Sequence, residues 1–284
     1  MNLPLNFNPL KRQKPNIVVV KGAGDLATGT IVRLKKAHFS VIALECKQPT
    51  AIRRTVAFSE AVYDGEMEVE GIKAVLVHTP NDAVSLSSIE GVVPVLVDEK
   101  AESIKKINPI VVVDAIIAKR NINTKITDAP CVIALGPGFT AGVDAHAVIE
   151  TSRGHYLGSV ITNGSAIPNT GIPGIIGGVG KERVIHSPSE GVFKGICSIG
   201  DTVKEGDVIA LVGDVEVKAS ISGTLRGLLR SGLEVPKGFK IADIDPRSVE
   251  EYTKSCSDKA RAIAGGVLEA ILMLTPYTLI PSTC

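Results

Sequence analysis

Residues 18–29 read VVVKGAGDLATG, an apolar run that passes through a glycine-rich turn into a helical pattern. The pattern predicts a buried strand over 17–20, a helix over 25–37 and a second strand over 41–45. A strand, a turn, a helix and another strand within about 30 residues form the unit that joins two parallel strands. The stretch therefore predicts a parallel α/β sheet, and its glycines raise the question of a bound phosphate.

The amino-acid composition agrees with such a sheet. The 284 residues are 44% hydrophobic but only 4% aromatic, with no tryptophan, so the core consists mostly of Val, Ile, Leu and Ala. Further apolar strands are predicted at 74–79, 92–98, 109–116 and 131–136, with a helix at 99–107. Strands that alternate with helices predict a Rossmann-like, doubly wound α/β domain over residues 1–180.

The pattern changes in the last third of the chain. Residues 184–247 hold short apolar runs between Gly-Asp turns, which predicts a small all-β barrel-sandwich module. IGDTVKEGDVIALVG and VKASISGTL are similar to motifs of biotinyl/lipoyl-like domains. Val212 stands where such carriers have their lysine, and Lys218 lies too far along, so a swinging-arm carrier is disfavoured. Residues 248–284 are predicted to contain a helix that packs on the α/β domain.

The glycine turn matches the dinucleotide fingerprint in its alanine form, Gly22-x-Gly24-x-x-Ala27. In that fingerprint the glycines allow a tight turn and close approach of a phosphate, and an acid after the next strand binds a ribose hydroxyl. Glu45 is the candidate acid. The predicted cofactor contacts at the turn are Gly22, Ala23, Gly24, Asp25, Thr28 and Gly29. The alternative is a structural corner, with Asp25 only capping the helix.

Two arginines follow the second strand. Arg53 and Arg54 are placed near its carboxyl end, where ligands of doubly wound sheets bind, and a guanidinium can grip a phosphate through two hydrogen bonds. The alternative is an exposed pair on a solvated helix. Cys46 lies nearby, but one thiol with no located base is weak support for sulfur transfer.

A glycine-rich stretch follows the strand at 131–136. Gly136 and Gly138 could bring backbone amides close to an anion. Asp144, His146, Arg153 and His155 come next, and their spacing matches no zinc pattern. These four side chains could contact a ligand or a partner, or could simply be hydrogen-bonded. We predict no metal site and assign no catalytic residue.

Charge and cysteine content bear on partners and location. Thirty-one basic and 30 acidic residues give no excess field for nucleic-acid binding. Five scattered cysteines are typical of a reducing cytosol, and residues 1–16 lack the apolar region of a secretory signal. The apolar stretch 262–280 contains Glu269, which favours a buried helix over a membrane span. We therefore predict a cytoplasmic protein that binds neither nucleic acid nor membrane.

Several long motifs resemble those of the YqeB family: KGAGDLATG, QPTAIRRTVAFSEAVYDG, AKRN, LGPGFTAGVDAHAVIETSRGHYLG and PNTGIPG. The resemblance implies an accessory protein of the selenium-dependent molybdenum hydroxylase system. By analogy with XdhC-type maturation proteins, it implies a nucleotide or molybdenum cofactor in a Rossmann-like pocket and a molybdenum hydroxylase apoenzyme as partner. Two alternatives stay open: an NAD(P)-dependent oxidoreductase, for which no Tyr-x-x-x-Lys dyad is visible, and a non-catalytic scaffold. Homo-oligomerisation and any catalysed reaction are also left open.

Overall fold

The computed structural model describes residues 17–171, 174–175 and 177–275. The predicted features in 1–16 and 276–284, and two residues of the PNTGIPG motif, lie outside the described residues. The strands are β1 Ile17–Lys21, β2 Ser40–Glu45, β3 Glu66–Val69, β4 Ile72–Val77, β5 Val92–Val97, β6 Val111–Asp114, β7 Cys131–Leu135, β8 Thr140–Ala141, β9 Ala147–Ile149, β10 Val160–Ile161, β11 Gly164–Ser165, β12 Val184–His186, β13 Gly191–Gly195, β14 Thr202–Val203, β15 Val208–Val212, β16 Val215–Lys218, β17 Gly223–Leu228, β18 Glu234–Val235 and β19 Lys240–Asp245. The α-helices are α1 Asp25–Lys36, α2 Ala61–Asp64, α3 Pro80–Ser87, α4 Ile104–Ile107 and α5 Asp258–Leu274.

A nine-stranded sheet forms the larger part of the protein, in the order β10-β9-β7-β6-β1-β2-β5-β4-β3. The strands from β9 to β4 in this order run parallel. The two edge strands, β10 and β3, are antiparallel to their neighbours. The sheet is therefore mixed, with a parallel centre.

Apolar residues cover both faces of the parallel centre because successive side chains of a strand point to opposite sides. Val18 and Val20 of β1 pack into the core on the side of α1 and α5, whereas Val19 belongs to the core on the opposite face. All three are fully buried. This arrangement explains why β1 reads as an uninterrupted apolar run in the sequence.

Helices α1 and α5 pack tightly against each other. A Cβ atom at Gly29 of α1 would lie 2.8 Å from the Cβ of Ala260 in α5, so the glycine lets the helices approach. Helix α5 begins after Ser257, whose side chain accepts a hydrogen bond from the backbone of Ala260 at 3.1 Å. This cap starts the helix ten residues later than the start of the predicted segment at 248, and Glu250–Thr253 forms a 3-10 turn instead.

Two four-stranded antiparallel sheets form the β-rich part, in the orders β12-β19-β17-β14 and β16-β15-β13-β18. They share an apolar core that includes Phe193, Ile209, Leu225 and Ile244, all fully buried. The first of these sheets faces the carboxyl ends of the parallel strands. Its strand β17 is joined to the loop after β2 by a hydrogen bond from the Leu228 amide to the Ile52 carbonyl, 2.7 Å long.

The predicted fold class, a Rossmann-like doubly wound sheet with one barrel-sandwich module, is wrong in both parts. In a Rossmann sheet the first strand lies at the centre. The later strands are added on each side of it, in the order in which they occur in the chain. Here β5 lies between β2 and β4, and both edges are antiparallel. The β-rich segment forms two separate four-stranded sheets.

The apolar pattern of the sequence did not predict the two edge strands. Strand β3 has the half-charged sequence EMEV, and strand β10 is only two residues long.

The predicted helix over 99–107 is also mostly wrong. Only Ile104–Ile107 is helical, and Asn108 ends it in the left-handed conformation with φ 49°. By contrast, the predicted β1–α1–β2 unit is confirmed to within one residue at each helix and strand end. Within the described residues, no helix is long and apolar enough to span a membrane.

Two adjacent glycines of α5 test the close packing of this helix. A Cβ at Gly266 would lie 2.1 Å from the carbonyl oxygen of Gly158, whereas a Cβ at Gly265 would meet nothing within 4 Å. We expect Gly266→Ala to lower the free energy of unfolding by about 2 kcal/mol through overpacking. Gly265→Ala should raise it by up to about 1 kcal/mol through helix propensity. Equilibrium chemical denaturation measures both, and equal effects would contradict this packing.

Candidate functional site

The glycine turn between β1 and α1 is closed by Glu45. One carboxylate oxygen of Glu45 accepts a hydrogen bond from the Ala23 amide and the other accepts one from the Cys46 amide, both at 2.7 Å. Gly22 has φ +93°, and a Cβ there would come within 3.0 Å of the Ala115 carbonyl oxygen. Glu45 therefore acts as an internal cap of the turn, and its ribose contact stays a prediction.

Other predicted contact residues serve packing. The Thr28 hydroxyl donates to the Ala23 carbonyl at 3.1 Å and accepts from the Phe58 amide at 2.9 Å, so it is fully used inside the protein. A Cβ at Gly136 would lie 2.5 Å from the Thr151 hydroxyl. At Gly138 it would lie 2.5 Å from the backbone of Arg120. These two glycines, like Gly29, therefore allow close internal contacts, and the anion contacts at Gly136 and Gly138 stay a prediction.

Arg53 and Arg54 point to different places. The Arg54 side chain donates to the Leu228 carbonyl at 2.8 Å and lies 3.8 Å from the Glu60 carboxylate, so it joins the loop after β2 to β17. Arg53 is only 5% exposed and lies on the wall of a large cavity. The expected phosphate role of the pair is therefore open only to Arg53.

This cavity, which we call the cleft, has a volume of about 1020 Å³. On one side are loops at the carboxyl ends of the parallel strands, and on the other side are β12, β17 and β19. Of the predicted contacts, Gly24, Asp25 and Arg53 line it. The structure therefore brings three of the eleven predicted residues together and places the others elsewhere.

The cleft wall is strongly basic although the chain as a whole is almost neutral. Its lining includes eight Lys or Arg residues and two Asp residues. The basic residues are Arg53, Lys119, Arg153, Lys181, Arg183, Arg226, Lys240 and Lys259. Sequence reasoning missed most of these because they come from seven separate segments, and only the fold gathers them.

Some of this positive charge is paired. Arg183 forms a close ion pair with Asp243, and both side chains are buried. Arg153 holds Asp258 through two hydrogen bonds of 2.7 and 2.8 Å, which depress the pKa of that carboxyl strongly. By contrast, no hydrogen bond or ion pair within the described residues engages the side chain of Lys119, Lys181, Lys240 or Lys259.

Burial lowers the pKa of two of the cleft lysines, Lys240 and Lys259. Burial among protein atoms lowers the pKa of Lys240, although its side chain is reached by solvent inside the cleft. Burial also lowers the pKa of Lys259, and the charges of Arg153, Lys119 and Lys240 add to this effect. Both lysines would gain from an anion that replaces their lost hydration.

The amino end of α1 opens into the cleft. Gly24 is its N-cap and has no side chain to bond the free amides of the first turn. A Cβ built at Gly24 meets nothing within 4 Å, so the space in front of the helix end is open. Unpaired amides at a helix start attract anions, and this helix end adds to the positive potential of the cleft.

The four polar residues of the glycine-rich stretch each have contacts of their own within the protein. Asp144 accepts hydrogen bonds from the Thr140 amide and the Asn121 side chain, at 2.8 and 3.1 Å. His146 accepts one from the Val132 amide at 3.0 Å, and the His155 ring contacts Tyr156 edge-on. Among the described residues, no three His, Cys, Asp or Glu side chains come close enough to hold a metal ion.

Cys46 is poorly suited to sulfur transfer. Burial and the neighbouring Glu45 carboxylate raise the pKa of its thiol to about 12. At neutral pH the group is therefore a thiol rather than the nucleophilic thiolate.

No family model matches the chain. Over 270 residues the chain is 54% identical to the protein named "Uncharacterized protein YqeB" of Escherichia coli strain K12, and the match covers 95% of this chain and 50% of that protein. The match supports membership of the YqeB family. The chain spans about half the length of this YqeB relative.

Solved structures show only distant likeness. An aspartoacylase family protein of Mesorhizobium loti is 10% identical with a TM-score of 0.25, over 82% of this chain and 85% of that one. The ectoine utilization protein EutE of Ruegeria pomeroyi is 10% identical with a TM-score of 0.26, over 81% and 86%. A succinylglutamate desuccinylase of Silicibacter sp. TM1040 is 13% identical with a TM-score of 0.25, over 82% and 85%. At these TM-scores the likeness carries no argument about activity.

The expected role in maturing selenium-dependent molybdenum hydroxylases is wrong as a conclusion from the motifs, which lead only to a YqeB relative whose name states no activity. In the corner expected to hold a nucleotide or the molybdenum cofactor, Glu45 engages the Ala23 amide, whereas Gly24 at the amino end of α1 lines the cleft. The alternatives of an NAD(P)-dependent oxidoreductase and of a non-catalytic scaffold stay predictions.

Replacing Glu45 tests its structural role. We expect Glu45→Ala to lower the free energy of unfolding by about 2 kcal/mol, because two part-buried amides lose their acceptor. Glu99→Ala is the matched control, since Glu99 accepts one exposed amide hydrogen bond at 3.0 Å. Its effect should stay below about 0.5 kcal/mol in the same denaturation assay. Unchanged stability of Glu45→Ala would show that the carboxylate does not cap the turn.

Proposed function

We propose that the protein binds a small organic polyanion in the cleft. The main support is the excess of positive charge in the cleft. Eight basic and two acidic residues line it, whereas the whole chain has 31 basic and 30 acidic residues. Clustered cations repel one another unless an anion is present, so the arrangement favours a ligand with several negative charges.

The size and lining of the cleft restrict the ligand further. A volume of about 1020 Å³ matches sites for cofactor-sized molecules. Apolar side chains also face the cleft, among them Leu26, Ile117, Ile167 and Ile175, and Ile175 is 73% exposed. The ligand therefore combines a polyanionic part with an apolar or ring-shaped part that covers these isoleucines.

The backbone near the lysines supports a binding role. Ile117 and Lys119 have φ values of 59° and 61°, a left-handed conformation that is unfavourable for residues with side chains, above all for a β-branched one. Such strain persists where the surrounding structure enforces it, and it clusters at ligand sites. The two residues with this strained backbone both line the cleft.

A double substitution tests the proposal. Lys240→Ala with Lys259→Ala removes two cleft cations that have no partner in the described part of the chain, and should weaken pyrophosphate binding at least about tenfold. Lys105→Ala with Lys106→Ala removes the same charge from exposed positions of α4 and should leave the affinity within about twofold. Isothermal titration calorimetry at constant ionic strength measures both. Equal weakening by the two pairs, or no binding by the unaltered protein, would contradict a cleft site.

Binding should also depend on pH through the lysines. Their pKa values are lowered in the free protein, and a bound anion raises them, so affinity is full below the free-state pKa and falls as pH rises through it. Lys240→Arg with Lys259→Arg keeps the charge at high pH. We therefore expect the affinity of the arginine variant for pyrophosphate, divided by that of the unaltered protein, to rise between pH 7 and pH 10. A constant ratio would show that neither lysine charge contributes.

A further inference from the structure

We propose that Arg226, Arg53 and the amino end of α1 form a subsite for one phosphoryl group of the ligand. The inference rests on the proposed function, because it specifies which chemical group the cleft binds and where. Both arginines and Gly24 line the cleft.

Arg226 is a buried cation with incomplete pairing. Its side chain is about 7% exposed, and its guanidinium lies 3.8 Å from the Asp245 carboxylate and 4.0 Å from the Asp243 carboxylate, beyond hydrogen-bond distance. Both acids have closer partners, since Arg247 bonds Asp245 at 2.6 Å and Arg183 pairs with Asp243. Within the described chain Arg226 donates no hydrogen bond, and its Nε is buried without a partner.

Arg53 lies near Arg226 and is firmly held through one terminal nitrogen only. One terminal nitrogen donates to the carbonyls of Tyr252 and Ser255 at 2.9 and 3.2 Å, whereas its Nε is also buried without a partner. Burial lowers the pKa of Arg226, and the charge of Arg53 lowers it further. An anion within reach of these two guanidinium groups would add to the incomplete compensation that the nearby carboxylates provide.

The amino end of α1 supplies a third set of donors. Gly24 leaves the first-turn amides uncapped and the space before them open. Donors from three directions suit a phosphoryl group, which presents three acceptor oxygens, better than a planar carboxylate with two. The geometry therefore favours a phosphoryl group over a carboxylate at this point of the cleft.

Asp25 is the opposing charge in this subsite. Its carboxylate is 3.5 Å from Arg53, at the limit of a hydrogen bond, and its side chain is 35% exposed. It lies in the first turn of α1, where a phosphoryl group would bind, so it repels the ligand and occupies part of Arg53. Removing its charge should therefore tighten phosphate binding.

The test uses inorganic phosphate and succinate as probes, with ligand-detected NMR titrations of the whole chain. We expect Asp25→Asn to tighten phosphate binding about tenfold. The matched control Glu68→Gln removes one exposed negative charge outside the cleft and should change it less than twofold. Arg226→Lys keeps the charge but loses the planar donor set, and should weaken phosphate about tenfold and succinate less than threefold.

An unchanged phosphate affinity in Asp25→Asn would overturn the subsite, and so would equal weakening of phosphate and succinate in Arg226→Lys. If Arg226→Lys fails to fold, Asp25→Asn decides alone. The lysine substitutions could weaken pyrophosphate binding while both subsite variants leave the phosphate affinity unchanged. In that case the cleft binds anions but this subsite is wrong. If the unaltered protein binds neither pyrophosphate nor phosphate, the proposed function and the subsite fail together.

Discussion

The attachment of the loop after β2 to strand β17 is the constraint on which the cleft depends. Ile52, Arg53 and Arg54 all take part: the Ile52 carbonyl accepts from Leu228, the Arg54 side chain donates to the Leu228 carbonyl, and Arg53 reaches the segment before α5. Gly227 permits this approach, since a Cβ there would lie 3.1 Å from the Ile52 carbonyl oxygen. These contacts hold the antiparallel sheet across the carboxyl ends of the parallel strands.

The same attachment explains the electrostatics of the site. Arg53 and Arg226 are neighbouring residues from the two parts that it joins, and both are buried. Burial removes the water that would otherwise solvate the guanidinium groups, and the nearby carboxylates are mostly engaged by other arginines. The fold thus creates a positive potential inside the protein that neither part would have alone.

Local sequence patterns were sufficient for part of this architecture. The β1–α1–β2 unit was predictable because its strands, turn and helix are encoded within one short stretch. The strand order was not, because the position of β5 between β2 and β4 and the pairing of the short edges arise from contacts distant in sequence. At the glycine turn the residues were found correctly, but the hydrogen bond from the Ala23 amide to Glu45 was not foreseen, because it depends on how β2 is placed beside β1. Arg53 was foreseen as an anion contact, whereas Arg226, Lys240 and Lys259 have no motif and become visible only once the strands are placed.

The central claim is that an oxyanion binds in the cleft between the nine-stranded sheet and the antiparallel sheet. The most direct measurement is a crystal structure of the protein soaked with tungstate, a tetrahedral oxyanion whose position anomalous scattering reveals. The account predicts an anomalous peak within hydrogen-bond reach of Arg226 and the amino end of α1. Tungstate bound only at outer surfaces, with the cleft free of anomalous signal, would contradict it.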